Sequence, residues 1–254
     1  MPIKERRTKI LVGIFLLSNH TENEGKLAFD GVFIDKQFEQ IFDLALNQKT
    51  KSTLLALIKG GELELVVENE LEKHILTQKG FHEICLQFPY FRFLLDNWDK
   101  KWRILSYEIP ESKRDLRDRL RREVAGWGLG PWHRSFWLTP HPIIENLKGL
   151  VKGKEEEQFI QAFEADHAFG ETDVLIEKVW GKSALDKKYR ELFKKWHDTL
   201  AQDKEKHTKF TSIIKEYIEI IRQDPGLPKE LIGEGWIGYE AFNIFKEIRN
   251  ILYA

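Results

Sequence analysis

The chain has 254 residues and a mass of 30.0 kDa, which at roughly 100–200 residues per domain leaves room for one to three domains. Hydrophobic residues at 42% and charged residues at 32% exclude wholesale disorder. Forty Lys+Arg against 41 Asp+Glu, a net charge of −1, exclude a globally basic nucleic-acid binder but leave room for a local basic patch. The single cysteine, Cys85, excludes an internal disulfide and a Cys-rich zinc module, reads as a buried side chain, and fits a reducing cytosol.

No apolar run reaches the length of a membrane span. Lys4, Arg6, Arg7 and Lys9 precede the apolar run Ile10 to Leu17, an order that also describes a signal peptide. No small-x-small cleavage site follows, so Thr8 to Leu17 is read as a first core helix. A polar loop is expected at Glu22 to Lys26. Phe38, Ile41, Phe42 and Leu46 have helical spacing. Asn47 to Thr53 then leads into Leu54 to Ile58, a third helix stopped by Gly60-Gly61. Two strands follow, Leu63 to Val67 and His74 to Thr77, turning at Glu68 to Glu72, and Lys79-Gly80 closes the unit.

Three helices and a two-stranded hairpin follow the order of a winged helix-turn-helix, whose third helix enters the major groove. Here Lys49, Thr50, Lys51 and Ser52 stand at the start of that helix. Short polar and cationic groups there suit phosphate and base-edge contacts. The hairpin is acidic, with Glu62, Glu64, Glu68, Glu70 and Glu72. Residues 1–88 hold 11 Lys+Arg against 13 Asp+Glu, a net of −2. DNA carries a negative charge about every 1.7 Å, which such a wing repels.

From Trp102 to Ile109 the chain reads as a strand stopped by Pro110. A helix begins at Glu111-Ser112 and runs to about Ala125, with Leu116, Leu120 and Val124 as its buried stripe. Its many arginines are offset by Asp115, Asp118 and Glu123 and read first as a solvated, internally paired face. The glycines of Gly126 to Gly130 lack the Gly-Lys-Ser/Thr ending of a phosphate loop and mark a tight helix-to-strand turn. A strand His133 to Thr139, a helix Pro142 to Val151, a strand Gln158 to Phe163 and a short element Asp173 to Val179 complete the region. This order suggests a small ferredoxin-like domain with helices on one sheet face. Beyond residue 180 the apolar spacing is helical, broken at Asp224-Pro225-Gly226-Leu227-Pro228.

The eight histidines form no zinc-binding spacing, and no nucleophile elbow is present. No catalytic residue, metal or cofactor is expected on these grounds.

The segment Trp102 to Pro140 resembles the central domain of the PaaX family of bacterial transcriptional regulators. So do Val179-Trp180-Gly181 with Leu185, Tyr189 and Phe193, and Asp224 to Pro228 followed by Trp236, Gly238, Ala241 and Phe245. The resemblance implies an α+β protein in three parts. These are a DNA-binding winged helix-turn-helix over 1–88, a ferredoxin-like domain over 99–180 similar to the small CRISPR-associated endoribonuclease and adaptation subunit, and a helical domain over 181–254. With this resemblance the chain is read as a cytoplasmic, homodimeric transcriptional repressor without catalytic activity, which binds double-stranded DNA and is released from it by an acyl-coenzyme A or aromatic-acid effector. By position, Lys49 to Ser52 fall where the family's recognition helix begins, and its buried aromatic and arginine positions fall on Trp102, Arg117, Arg121 and Trp137. Trp127, Trp132 and Trp137 are the further candidates for effector or interface contact. Two alternatives stand beside this reading: a protein-interaction module that has lost DNA binding, and a metal-dependent nuclease using Glu108, where the CRISPR-type family has Asp.

Overall fold

The computed structural model describes residues 5–23 and 26–253. By packing, the chain divides into two compact units. One takes the chain as far as Gln87, with Arg190–Ile220 and the chain from Ala241 onward; the other is Phe88–Tyr189 with Ile221–Glu240.

The first unit is built around α1 (Arg6–Leu17), in which every residue from Ile10 to Leu17 is buried. The strands β1 (His20–Asn23) and β2 (Lys26–Phe29) pair antiparallel where a polar loop was expected. Residues 24 and 25 of that loop lie outside the described residues. After β3 (Val32–Phe33) comes α2 (Lys36–Phe42), capped by the Asp35 carboxylate on the Phe38 amide. It ends when Asp43 turns left-handed at φ 48°, so Leu46 falls outside it. Next are α3 (Gln48–Lys59), β4 (Leu63–Glu68) and β5 (Leu71–Leu76). The three strands form an antiparallel sheet in the order β3-β5-β4. Helix α4 (Gln78–Gln87) continues where Lys79-Gly80 was expected to end the unit. Phe15 of α1 packs its ring against Phe29, Phe81 and Phe242.

In the second unit a 3-10 turn at Pro89–Phe91 leads into the short α5 (Arg92–Leu95). Strand β6 (Trp102–Tyr107), a 3-10 turn at Glu111–Lys113 and α6 (Arg114–Gly126) follow. The single strand expected over His133 to Thr139 is a hairpin, β7 (Gly130–His133) and β8 (Phe136–Thr139), turning at Arg134-Ser135. Then come α7 (Ile144–Val151), β9 (Ile160–Ala165) and α8 (Thr172–Trp180). The sheet is wholly antiparallel in the order β7-β8-β6-β9. Strand alternation puts Leu105, Tyr107 and Trp137 on one face, towards α6. Trp102 faces the other way and stacks on Trp180 of α8, so helices approach both faces.

The rest is helical. Helix α9 (Lys182–Ala201) begins in the second unit and passes into the first. Helix α10 (Lys206–Ile221), the short α11 (Lys229–Ile232) and α12 (Ile237–Leu252) follow. Trp196, Tyr217, Phe210 and Phe245 form an aromatic core in the first unit; the Tyr217 and Phe245 centroids are 4.5 Å apart. The break at Asp224 belongs to the second unit, where its buried carboxylate accepts from the Gly226 amide, the Tyr189 hydroxyl and Trp236 Nε1. The molecule is thus a mixed α+β protein with a helical C-terminal part.

Candidate nucleic-acid interface

Helix α3 owes its start to Asn47. Its side-chain oxygen accepts from the amides of Lys49 and Thr50 at 3.0 and 3.2 Å, satisfying two donors that a helix start leaves open. Thr50 turns inward: it is buried, and its hydroxyl donates to the Ala45 carbonyl at 2.6 Å. Lys49, Lys51 and Ser52 point outward and are exposed. The four residues singled out from sequence therefore divide into three surface groups and one that seats the helix.

The outward stripe extends further than the sequence reading took it. Gln48, Lys51, Ser52, Leu55 and Lys59 recur at helical spacing and are all exposed, Leu55 at 66%. That spacing is present in the sequence, where Leu55 stands within the apolar run Leu54 to Ile58.

The five glutamates of the hairpin also divide. Glu62 is buried at its root, 3.0 Å from both Arg7 and Lys79. Burial pushes its carboxyl upward, but the hydrogen bonds and charges of those cations outweigh it and hold the pKa below the ordinary value. Glu64, Glu68, Glu70 and Glu72 are exposed, with the Lys73 ammonium 2.5 Å from Glu68.

The arginines of α6 are largely engaged within their own unit. Arg117 donates to Glu111 at 2.6 Å, Arg119 pairs with Glu156, and Arg114 pairs with Asp118. Arg121 donates to the Tyr107 hydroxyl at 2.7 Å, which also receives Trp137 Nε1 at 3.1 Å. Arg121, Tyr107 and Trp137 are thus one network on one sheet face. Trp102 lies on the opposite face, Trp127 is buried, and Trp132 is part-exposed beneath the Lys178 ammonium at 3.6 Å. Of the six proposed effector or interface residues, Arg121 and Trp137 meet at Tyr107, while Trp102 lies on the other sheet face against Trp180. A groove of about 660 Å³ runs along α7 and β9, lined by apolar residues such as Leu147 and Ile160 together with Glu145, Lys148, Lys152 and Glu157, and none of the six lines it.

Glu108, just past β6, is exposed, and its amide donates to the Phe159 carbonyl. Among the described residues no three His, Cys, Asp or Glu side chains are grouped to hold a metal ion. No described helix is long and apolar enough to cross a membrane.

Two family models match the chain. Residues 95–176 match the PaaX protein central Cas2-like domain, and residues 180–254 match the PaaX-like protein C-terminal domain. The chain belongs to the PaaX-like family. At family level this is a PaaX-like regulator, of a family that is regulatory rather than enzymatic. Neither PaaX model reaches the residues before 95, so α3 and the hairpin stand on their own geometry. Among solved structures, one similar chain is the uncharacterized protein Rv0674 from Mycobacterium tuberculosis. It is 15% identical, with a TM-score of 0.47 over 87% of this chain and 92% of that one. No curated protein matches.

Proposed function

We propose that this PaaX-like protein is a cytoplasmic, dimeric transcriptional repressor that binds double-stranded DNA through residues 1–88. In this reading α1, α2 and α3 are the helices of a winged helix-turn-helix, and β4 and β5 are its wing. The observation that carries it is α3, whose Asn47-capped start presents Lys49, Lys51 and Ser52 to solvent while Thr50 anchors it from within. Two lysines supply phosphate charge without the bidentate fork of arginine, so base discrimination falls to Gln48, Ser52 and Leu55. The strand order β7-β8-β6-β9 of the region around 99–180 supports a ferredoxin-like domain, to which we assign dimer formation; residues 181–254 complete the molecule. Two α3 helices would then address half-sites one or more turns of the duplex apart. An effector of acyl-coenzyme A or aromatic-acid type would favour one arrangement of the dimer and release the DNA.

The test is fluorescence anisotropy with a duplex from the gene's own upstream region, from about 50 to 200 mM salt. The expected result is salt-steep binding that Lys49→Glu/Lys51→Glu abolishes. A folded chain that binds no duplex at the lowest salt, or a double variant that binds as well as the parent, overturns the reading.

A further inference from the structure

Strand β4 is the outer strand of the order β3-β5-β4, so one of its edges has no strand beside it among the described residues. From Glu64 to Glu68 every residue is exposed. Such an edge offers a row of backbone donors and acceptors to any extended chain, and proteins normally guard it.

The register with β5 sorts the side chains by face. Leu63, Leu65 and Val67 lie opposite Leu76, His74 and Glu72. That face is buried at its root, at Leu63, His74 and Leu76, and runs outward into Leu65 and Val67, which are 39% and 63% exposed. Glu64, Val66 and Glu68 lie opposite Ile75, Lys73 and Leu71 on the other face. Phe33 is opposite Lys73 and shares this second face. The residues of β4 itself are therefore apolar on one side and acidic on the other, with Val66 between the two glutamates; on β5, Glu72 joins the first side and Lys73, paired with Glu68, the second.

Charge and register discriminate among the possible occupants. A duplex backbone meets Glu64, Glu68, Glu70 and Glu72 with only Lys73 to offset them, and is repelled. A second copy fares no better. It brings the same exposed glutamates to an edge that already carries them, and in the antiparallel register centred on Val66, one of those that keep like faces together, Glu64 stands opposite Glu68 twice, and directly opposed like charges destabilise a strand pair. An extended segment that alternates apolar and cationic residues fits both faces: its apolar side chains lie beside Leu65 and Val67, and its lysines or arginines beside Glu64 and Glu68.

We infer that the outer edge of β4 is a docking site for an extended, alternating apolar and cationic segment of a partner protein, which adds a strand to the sheet. The backbone supplies the affinity and the glutamates select the partner. The inference stands whether or not α3 binds DNA, because the two surfaces share no residue.

The probe is a labelled synthetic peptide, Lys-Val-Lys-Val-Lys-Val-Lys, titrated by anisotropy against the full chain. Two companions accompany it: the same peptide N-methylated at every residue, and Glu-Val-Glu-Val-Glu-Val-Glu. The cationic peptide is expected to bind saturably, and N-methylation to weaken it by about tenfold or more because the ladder cannot form. In Glu64→Lys/Glu68→Lys the preference should reverse towards the acidic peptide. Binding that survives N-methylation, or an unchanged preference in the double variant, overturns the inference. So does the absence of binding by any probe. In that case, loss of duplex affinity in Val67→Glu would assign the edge to DNA, and loss of self-association would assign it to a second copy.

Discussion

The guanidinium of Arg249, near the end of the last helix, donates to the Leu16 carbonyl at the end of the first helix, at 3.2 Å. It also donates to the Ser18 carbonyl and the Asn19 side chain. The last carbonyls of an α-helix have no partner within it, and a cation placed there also meets the negative end of the helix dipole. Arg249 is 5% exposed, and burial lowers its pKa from the ordinary value; a guanidinium keeps its charge in proteins. Two ends of the chain 233 residues apart are thereby tied within one unit. Arg249→Met leaves buried carbonyls unsatisfied and should cost about 2–4 kcal/mol in a urea titration. Arg249→Lys should recover only part of the loss, because an ammonium lacks the planar fork. A loss below about 0.5 kcal/mol would mean that the tie contributes nothing.

Gly226 occupies a comparable clasp in the second unit. Its φ is 62°, and a Cβ there would stand 2.2 Å from the Pro89 carbonyl oxygen, a backbone atom that cannot swing aside. Gly226→Ala therefore combines left-handed strain with a backbone clash. It should lower stability by about 2 kcal/mol or more, seen as a fall in Tm. Gly153 is the control, with φ 70° and open space around its would-be Cβ. Gly153→Ala should cost about 1 kcal/mol, the strain alone. Equal losses would show that the approach to Pro89 is not what demands glycine at 226.

The elements legible in sequence were those whose burial has a single period. Ile10 to Leu17 announced α1, and Leu120 and Val124 announced α6. What was missed has local causes. The hairpin β7-β8 turns at Arg134-Ser135, with no Gly, Pro, Asn or Asp to mark the turn, so it read as one strand. Gly80 looked like a stop, yet it lies inside α4, where a Cβ would stand 2.2 Å from the Glu62 carbonyl oxygen; it is glycine for close approach. In the candidate site the lysines of α3 were legible. The inward turn of Thr50, the burial of Glu62 and the exposure of Leu55 were not, because each depends on which face of an element meets the core. Arg249 was invisible for a different reason: its partners are at the far end of the chain.

The division of labour within α3 can be measured directly. Thr50→Val keeps the shape but removes the hydroxyl from the Ala45 carbonyl, and should cost about 1–2 kcal/mol of stability. Lys51→Ala should leave stability within about 0.5 kcal/mol, because the side chain is exposed. It should reduce the salt slope of duplex binding by about one, the signature of a lost phosphate contact. Thr50→Val should leave that slope unchanged. If instead Thr50→Val flattens the slope and Lys51→Ala does not, the outward face of α3 is not the one that meets DNA.

His141 makes the stability of the protein depend on pH. Its ring is buried against Phe93, with centroids 4.9 Å apart. Nε2 lies 2.6 Å from the Pro225 carbonyl and donates to it, while Nδ1 is buried with no partner among the described residues. Burial is the main cause that lowers the pKa from 6.5 to about 3, helped by Arg92 and Arg103 and opposed by the bond to Pro225. The folded chain therefore refuses a proton that the unfolded chain accepts below about pH 6.5. Above that pH His141 adds no pH dependence. Below it, stability falls by about 1.4 kcal/mol for each pH unit until the folded pKa is reached. His20 and His74, also lowered chiefly by burial, act in the same direction. Asp224 acts in the opposite sense: burial raises its pKa, so the stability it contributes is present below the ordinary aspartate value and is lost as pH rises through the raised one. These groups are common to the parent and to His141→Gln, which keeps a donor for Pro225, so the difference between the two isolates His141. In urea titrations at about pH 7, 6 and 5 the parent should lose roughly 1.4 kcal/mol more per unit than the variant once below pH 6.5. Parallel lines would mean that the ring takes up its proton while folded, and that the packing around Phe93 and Pro225 opens to water.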